Sequence, residues 1–248
     1  MIALGYGLAL VIGLALGLLG GGGSILTIPV LHYVMGYGMK AAVPMSLVVV
    51  GLTSAVGAVA HRRGGTLSLR TVVAFAPPAI VGTMLGVELG LRTSAELQLT
   101  VFALVMLGAA VSMYLGQTAV ESAASQHPRR STPLILLVGG LVGVLTGFVG
   151  VGGGFLYVPA LVLLGGLPMK RAVGTSLALI MISCIAGVVR YHGSLDLDWR
   201  AIALFTGIAL LGVALGSRLV LHVSQAMLRR GFAVFLLVMG TLVLVLGR

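Results

Sequence analysis

Apolar stretches, each close to or above the roughly 18 to 20 residues that cross a bilayer, follow one another along most of the chain. Residues 1–39 and 131–169 contain no Asp, Glu, Lys or Arg. Each such 39-residue stretch would be about 58 Å long as a helix, enough for two crossings of a roughly 30 Å core. Glycine clusters at 20–23 and 150–154 lie near the middle of these stretches, and glycine both weakens helices and permits tight turns. Each opening stretch therefore predicts one full helix and a shorter returning one, starting near Ser24 and near Phe155. Three further spans follow in each half, at about 41–60, 71–91 and 97–116, then 172–189, 200–217 and 229–247. The expected fold is an all-α polytopic membrane protein with about five membrane helices per half.

The halves are visible as a self-match. At an offset of 130, Gly17, Gly20, Gly22, Gly23 and Pro29 fall on Gly147, Gly150, Gly152, Gly153 and Pro159. The same offset carries MKAAVPMSL (39–47) onto MKRAVGTSL (169–177), Gly82 and Gly86 onto Gly212 and Gly216, Ser94 onto Ser224, and Phe102 onto Phe232. The expected division is 1–120, a polar linker at 121–130, and 131–248. Five crossings per half would invert one half relative to the other; if the short helices do not cross, eight spans make parallel repeats. Loop charge arbitrates. With ten crossings the basic residues split ten against five; with eight they split eight against seven. The positive-inside rule favours the lopsided arrangement.

Composition agrees. Charged residues make up 8% of the chain and hydrophobic ones 59%, against about 25% charged in soluble domains. The net charge of +10 would point to nucleic acid in a soluble protein, but here the basic residues sit between apolar runs. Nucleic-acid binding is set aside, and the lipid bilayer of the cell (inner) membrane is the expected surrounding. The N-terminus lacks a basic n-region, so it reads as the first span and not as a cleaved signal. Cys184 is the single cysteine, which leaves no intrachain disulfide. No cofactor or metal is expected, and the apolar faces leave room for a homodimer.

Candidate chemistry concentrates at the glycine clusters. Irregular backbone at membrane depth is tolerated where protein buries it or where it lines a watery cavity. The short helix after each break begins with unpartnered N–H groups at the positive end of its dipole, an arrangement suited to an anion. The expected substrate-binding set is Gly20, Gly21, Gly22, Gly23, Ser24, Thr27, Ser46, Gly150, Gly152, Gly153, Gly154, Tyr157, Thr175 and Ser176. Its hydroxyls can donate to an anion, although they can equally bond back to a helix carbonyl. Scattered glycines such as Gly82, Gly86, Gly212 and Gly216 read as close-packing positions. Glu88 lies four residues before Arg92, so an ion pair is favoured over a proton relay. Asp196, Asp198, Trp199 and Arg200 read as an interfacial anchor. The five histidines show no ligand spacing, though His32 is a candidate to face the cavity.

At these residues a family resemblance appears. Gly150-Val151-Gly152-Gly153-Gly154 to Pro159, followed by Lys170 to Leu177, resembles the TauE/SafE family of sulfite and organosulfonate exporters. The first half carries the pattern with Ser24 in place of a glycine and Pro44 where the second has Gly174. The resemblance implies export of sulfite, sulfoacetate or a related organosulfonate. The residues themselves argue for a transporter with anion-binding helix ends, and not for an enzyme. A channel reading finds no filter motif, an intramembrane enzyme would want a nucleophile and base on facing helices, and a scaffold would need larger loops.

Overall fold

The computed structural model describes residues 2–115, 132–149, 154–191 and 197–246. Ten α-helices run through the described residues: α1 Ile2–Leu19, α2 Gly22–Pro29, α3 Met39–Arg63, α4 Leu69–Leu91, α5 Ala95–Leu115, α6 Thr132–Val149, α7 Gly154–Pro159, α8 Met169–Arg190, α9 Trp199–Leu219 and α10 Gln225–Leu246. Both short helices, α2 and α7, end at a proline and continue into a wide π turn, Val30–Val34 and Ala160–Leu164. Element for element, the second series repeats the first 130 residues later. The short helices begin at Gly22 and Gly154, close to where the glycine clusters put them.

Six helices, α3, α4, α5, α8, α9 and α10, are long and apolar enough to cross a membrane. α3 and α8 are the most enclosed, 72% buried over their apolar windows against 28–44% for the other four. This pair is the centre of the bundle. The outer helices turn Val73, Val81, Leu104, Leu137, Leu211 and Val234 outward, each more than half exposed. A continuous apolar exterior of this kind is covered by lipid chains, not by water.

Two glycine seams hold the outer helices together. Gly13 and Gly17 of α1 lie on the backbone of Ala209, Val213 and Ser217 of α9, and Gly212 and Gly216 lie back on Leu10, Leu14 and Leu18. The contacts advance in step, so α1 and α9 run parallel. Gly82, Gly86 and Gly90 of α4 meet Gly140, Val144 and Phe148 of α6 in the same manner, again parallel. The absence of side chains lets the backbones touch, the usual basis of helix association in lipid, where burial against apolar tails contributes nothing. The glycines expected to serve packing do so. In the centre the sense is opposite: Leu47 meets Gly187, Gly51 meets Cys184, and Gly57 meets Leu177, so α3 and α8 are antiparallel.

Cross-contacts sort the loops into two ends. At one, Ser68 N–H donates to Thr175 Oγ1 at 3.1 Å, Lys170 Nζ to the Leu221 carbonyl at 2.8 Å, and Arg229 Nε to the Met113 carbonyl at 3.1 Å. This end gathers Arg62, Arg63, Arg70, Lys170, Arg171, Arg218, Arg229 and Arg230. At the other, Tyr37 donates to Asp198 at 2.8 Å, and Glu88 pairs with Arg92 at 2.7 Å and with Arg190. That end holds Lys40, Arg92, Arg190 and Arg200. Glu88 thus has the expected Arg92 pairing plus a second cation from α8. Exposed pairs of this kind contribute little to stability.

Asp198 is a helix cap as well as an end contact. Its Oδ1 accepts the Ala201 N–H at 3.0 Å, which closes the first turn of α9. That N–H, and next the Tyr37 hydroxyl, hold the Asp198 carboxyl below the usual carboxylate range. Burial, and then Asp198 itself, push the Tyr37 hydroxyl up to about 12. Because folding lowers the Asp198 pKa, its carboxylate stabilises the fold above the unfolded value and loses that contribution as pH falls through the folded one. Thermal unfolding of the purified protein should show Asp198→Asn melting lower than the parent at neutral pH. The two should converge only as pH falls below the ordinary carboxylate value of about 3.9 and through the lowered folded one, where the parent carboxyl is itself protonated.

Candidate functional site

The break between α1 and α2 is formed by Gly20 and Gly21. Gly20 has φ +69°, a left-handed conformation that residues with a Cβ avoid. It also lies directly against α8: a Cβ there would stand 2.6 Å from Val173 Cα and 2.8 Å from Ser176 Oγ. The Ser176 hydroxyl reaches the Gly20 carbonyl and the Val173 carbonyl of its own helix, the latter at 2.8 Å. Ser24 Oγ donates to the Gly21 carbonyl at 2.6 Å, and Thr27 Oγ1 reaches back to the Gly23 carbonyl at 3.5 Å. Gly23 packs on Ile12 and Leu16 of α1, which turns the chain back on itself as a hairpin. No side chain caps the N-terminus of α2. Its first turn thus has no side-chain acceptor, although the Ser24 N–H donates to the Gly21 carbonyl at 3.1 Å.

Of the expected set, the structure brings Gly20 and Ser176 into contact, joins Gly21 to Ser24, and stacks Gly23 over Thr27. Gly154 begins α7; Gly150, Gly152 and Gly153 lie outside the described residues, as do the linker 121–130 and Asp196. Tyr157, fully buried, hydrogen-bonds Ser183 Oγ at 2.6 Å and also reaches Thr146. Thr175 faces the α3–α4 turn, where it accepts the Ser68 N–H, and so fastens α8 to that turn rather than to Gly20. Ser46 of α3 is fully buried, and its hydroxyl has no hydrogen-bond partner. Ser54, two turns further along the same helix, is in the same state. A buried unpaired hydroxyl costs about 1–3 kcal/mol. α2 and α7 touch each other between α3 and α8.

The expected polar side chains are enclosed. Ser24, Thr27, Ser46, Tyr157, Thr175 and Ser176 are all fully buried. A groove of about 400 Å³ between α4 and α6 opens on the outer face, lined by Pro77, Pro78, Val81, Leu85 and Leu136 among others; it is apolar and belongs to the lipid-facing surface. His32 bonds the Tyr37 carbonyl at 2.7 Å near the Lys40 end, which ties up one ring nitrogen in a turn. Sequence reasoning passed over Thr146, Ser183, Ser54 and above all His61. Thr53 and Ser54 fall on Ser183 and Cys184 at the repeat offset, a signal for the hydroxyls; His61 falls on Tyr191, so the repeat hides it. Among the described residues no cluster of His, Cys, Asp and Glu could hold a metal ion.

An all-helical bundle with an apolar exterior, paired broken helices and buried hydroxyls around an uncapped helix end defines a multi-pass membrane protein of the transporter class. The sequence profile of the Sulfite exporter TauE/SafE family matches residues 6–243, and the chain belongs to that family. Its relatives include a probable membrane transporter protein of Xylella fastidiosa strain 9a5c, 32% identical over 94% of this chain and 91% of that one. A probable membrane transporter protein of Methanocaldococcus jannaschii is 34% identical over 42% of each chain. One of Haemophilus influenzae is 39% identical over 32% of this chain and 33% of the other. No solved structure matches the chain.

Proposed function

We propose that the protein exports a small sulfur-containing anion, such as sulfite, sulfoacetate or a related organosulfonate, by alternating access. The observation that carries this reading is the N-terminus of α2, without a side-chain cap and buried in the bundle beside the Ser176 hydroxyl. An anion seated there gains the N–H groups of Gly22 and Gly23 and the helix dipole. It also accepts a hydrogen bond from the Ser176 hydroxyl when that hydroxyl turns from the Gly20 carbonyl. Ser24, Thr27, Thr175, Tyr157 and the second cluster, Gly150 and Gly152 to Gly154, complete the lining in this reading.

The halves 1–120 and 131–248 are inverted repeats in the same proposal, with the Arg62–Arg171–Arg230 end in the cytoplasm. Parallel packing of α1 on α9 and α4 on α6, with antiparallel α3 and α8, supports that arrangement. So does the eight-to-four split of described Lys and Arg between the ends. Full enclosure of the polar side chains favours a carrier over a channel. The inside-negative potential drives an anion outward by about 2.3 kcal/mol per charge per 100 mV, so export runs as a uniport.

Flux of a labelled organosulfonate into proteoliposomes of set potential tests this. The expected result is saturable, potential-sensitive flux with counterflow, blocked by unlabelled sulfite and sulfonates but not by cations. Flux that fails to saturate would make the protein a channel, and inert sulfonates alongside transported carboxylates would change the substrate class.

A further inference from the structure

His61 lies two residues before the end of α3, at the basic end of the bundle, and is 2% exposed. Its ring spans three elements. Nε2 faces the Gly17 carbonyl of α1 at 3.3 Å, Nδ1 faces Thr66 Oγ1 of the α3–α4 turn at 2.8 Å, and its Cβ lies against Gly174 of α8. The Gly17 carbonyl can only accept, so Nε2 carries a hydrogen and donates it. Gly17 is within the last turn of α1, where carbonyls lack intrahelical partners; His61 is thus a C-terminal cap supplied by another helix. Three residues further on is Gly20, the break itself.

Nδ1 has a partner in either charge state. When the imidazole is neutral, the Thr66 hydroxyl donates to Nδ1. When Nδ1 holds a proton taken from the aqueous phase at that end, it donates to Thr66 Oγ1. The Thr66 hydroxyl then turns to the His61 carbonyl, 3.1 Å away, which already accepts the Thr66 N–H. A carbonyl oxygen has room for both. One hydroxyl rotation therefore satisfies both protonation states of a buried side chain. The charged groups carried at this end by the surrounding elements are Arg62 and Arg63 on α3, Arg70 on α4, Lys170 and Arg171 on α8, and Arg218 on α9. All are cations, so no carboxylate among them fixes the ring in its charged form.

We propose that His61 is a proton-binding site that latches the basic face of the transporter: with the proton bound, the charge-assisted bond to the α1 C-terminus holds the break at Gly20 against α8, and with the proton released the latch weakens. The cation also sits at the negative end of the α1 dipole, the favourable place for it. The residue at the repeat position is Tyr191, so the latch acts on one face only. The latch stands on geometry alone; its link to flux rests on the transport reading above.

The test uses the full-length protein in proteoliposomes with Cys184→Ala and a reporter, Val173→Cys, which is buried against Gly20. The rate of modification by a membrane-impermeant thiol reagent is measured from about pH 4.5 to 8, a range reaching well below the ordinary histidine value, in the His61 parent and in His61→Gln. Their ratio cancels the thiol's own ionisation. We expect the parent to open about fivefold less readily at the acid end, the difference between a neutral and a charge-assisted hydrogen bond, and the Gln variant to show no such protection. A ratio constant with pH overturns the latch. Where His61→Gln does not insert, Thr66→Val serves: without the hydroxyl acceptor the protection should move to lower pH, and an unmoved profile counts against the proposal. Sulfonate flux in the same vesicles is a separate arm. Absence of flux in every variant sinks the substrate reading and leaves the latch decided by the labelling.

Discussion

Gly20→Ala should abolish transport while the protein still inserts in the membrane. Two effects act together. A residue with a Cβ at φ +69° costs roughly 1–2 kcal/mol. The new methyl would also stand 2.6 Å from the α8 backbone at Val173 and 2.8 Å from Ser176 Oγ, so α8 and the break must separate. Ser176 then loses the Gly20 carbonyl, and the α2 N-terminus moves off the hydroxyl with which it would share an anion. The control is Gly108→Ala, where a Cβ meets nothing within 4 Å; it should transport as the parent does. Flux should be compared at equal amounts of monodisperse protein. Normal flux in Gly20→Ala would show that the break is a packing device and that the anion sits elsewhere.

Gly86→Leu should be the more damaging change, and to the fold itself. A Cβ at Gly86 would overlap the Val144 carbonyl and stand 2.7 Å from the Phe148 nitrogen, both backbone atoms of α6 that no rotamer change can move. Over-packing typically costs 1–3 kcal/mol where side chains can adjust; here two backbones must part along a seam of glycines. Most of the protein should be lost as aggregate, measured by size-exclusion chromatography of the detergent-solubilised protein. Gly216→Leu, the equivalent position in the α1–α9 seam, should fail in the same way, since its Cβ would meet Leu14 and Leu18. A monodisperse Gly86→Leu protein would mean that the seams are not what holds the outer helices.

Hydrophobic lengths alone marked the helices, because a bilayer needs a fixed run of apolar residues whatever the tertiary arrangement. The offset of 130 marked the two glycine clusters, and at Gly20 the reason is local: glycine readily takes the backbone through its left-handed turn. The roles of Gly82, Gly86, Gly212 and Gly216 were legible from their spacing, and the Glu88–Arg92 pair from its helical interval. What spacing could not supply was the partner. That Glu88 also meets Arg190, that Ser176 bonds Gly20 while Thr175 turns to Ser68, and that Asp198 receives Tyr37 all depend on residues more than a hundred positions apart. His61 shows the limit most clearly. In sequence it is one basic residue beside two arginines at a helix end; only the packing of α1, α3 and α8 around it buries the ring and aims one nitrogen at a helix terminus and the other at a hydroxyl. Periodicity and glycine placement are properties of a single segment and survive in a linear reading. Direction of packing, burial and hydrogen-bond pairing are properties of segments brought together, and they exist only once the chain has folded.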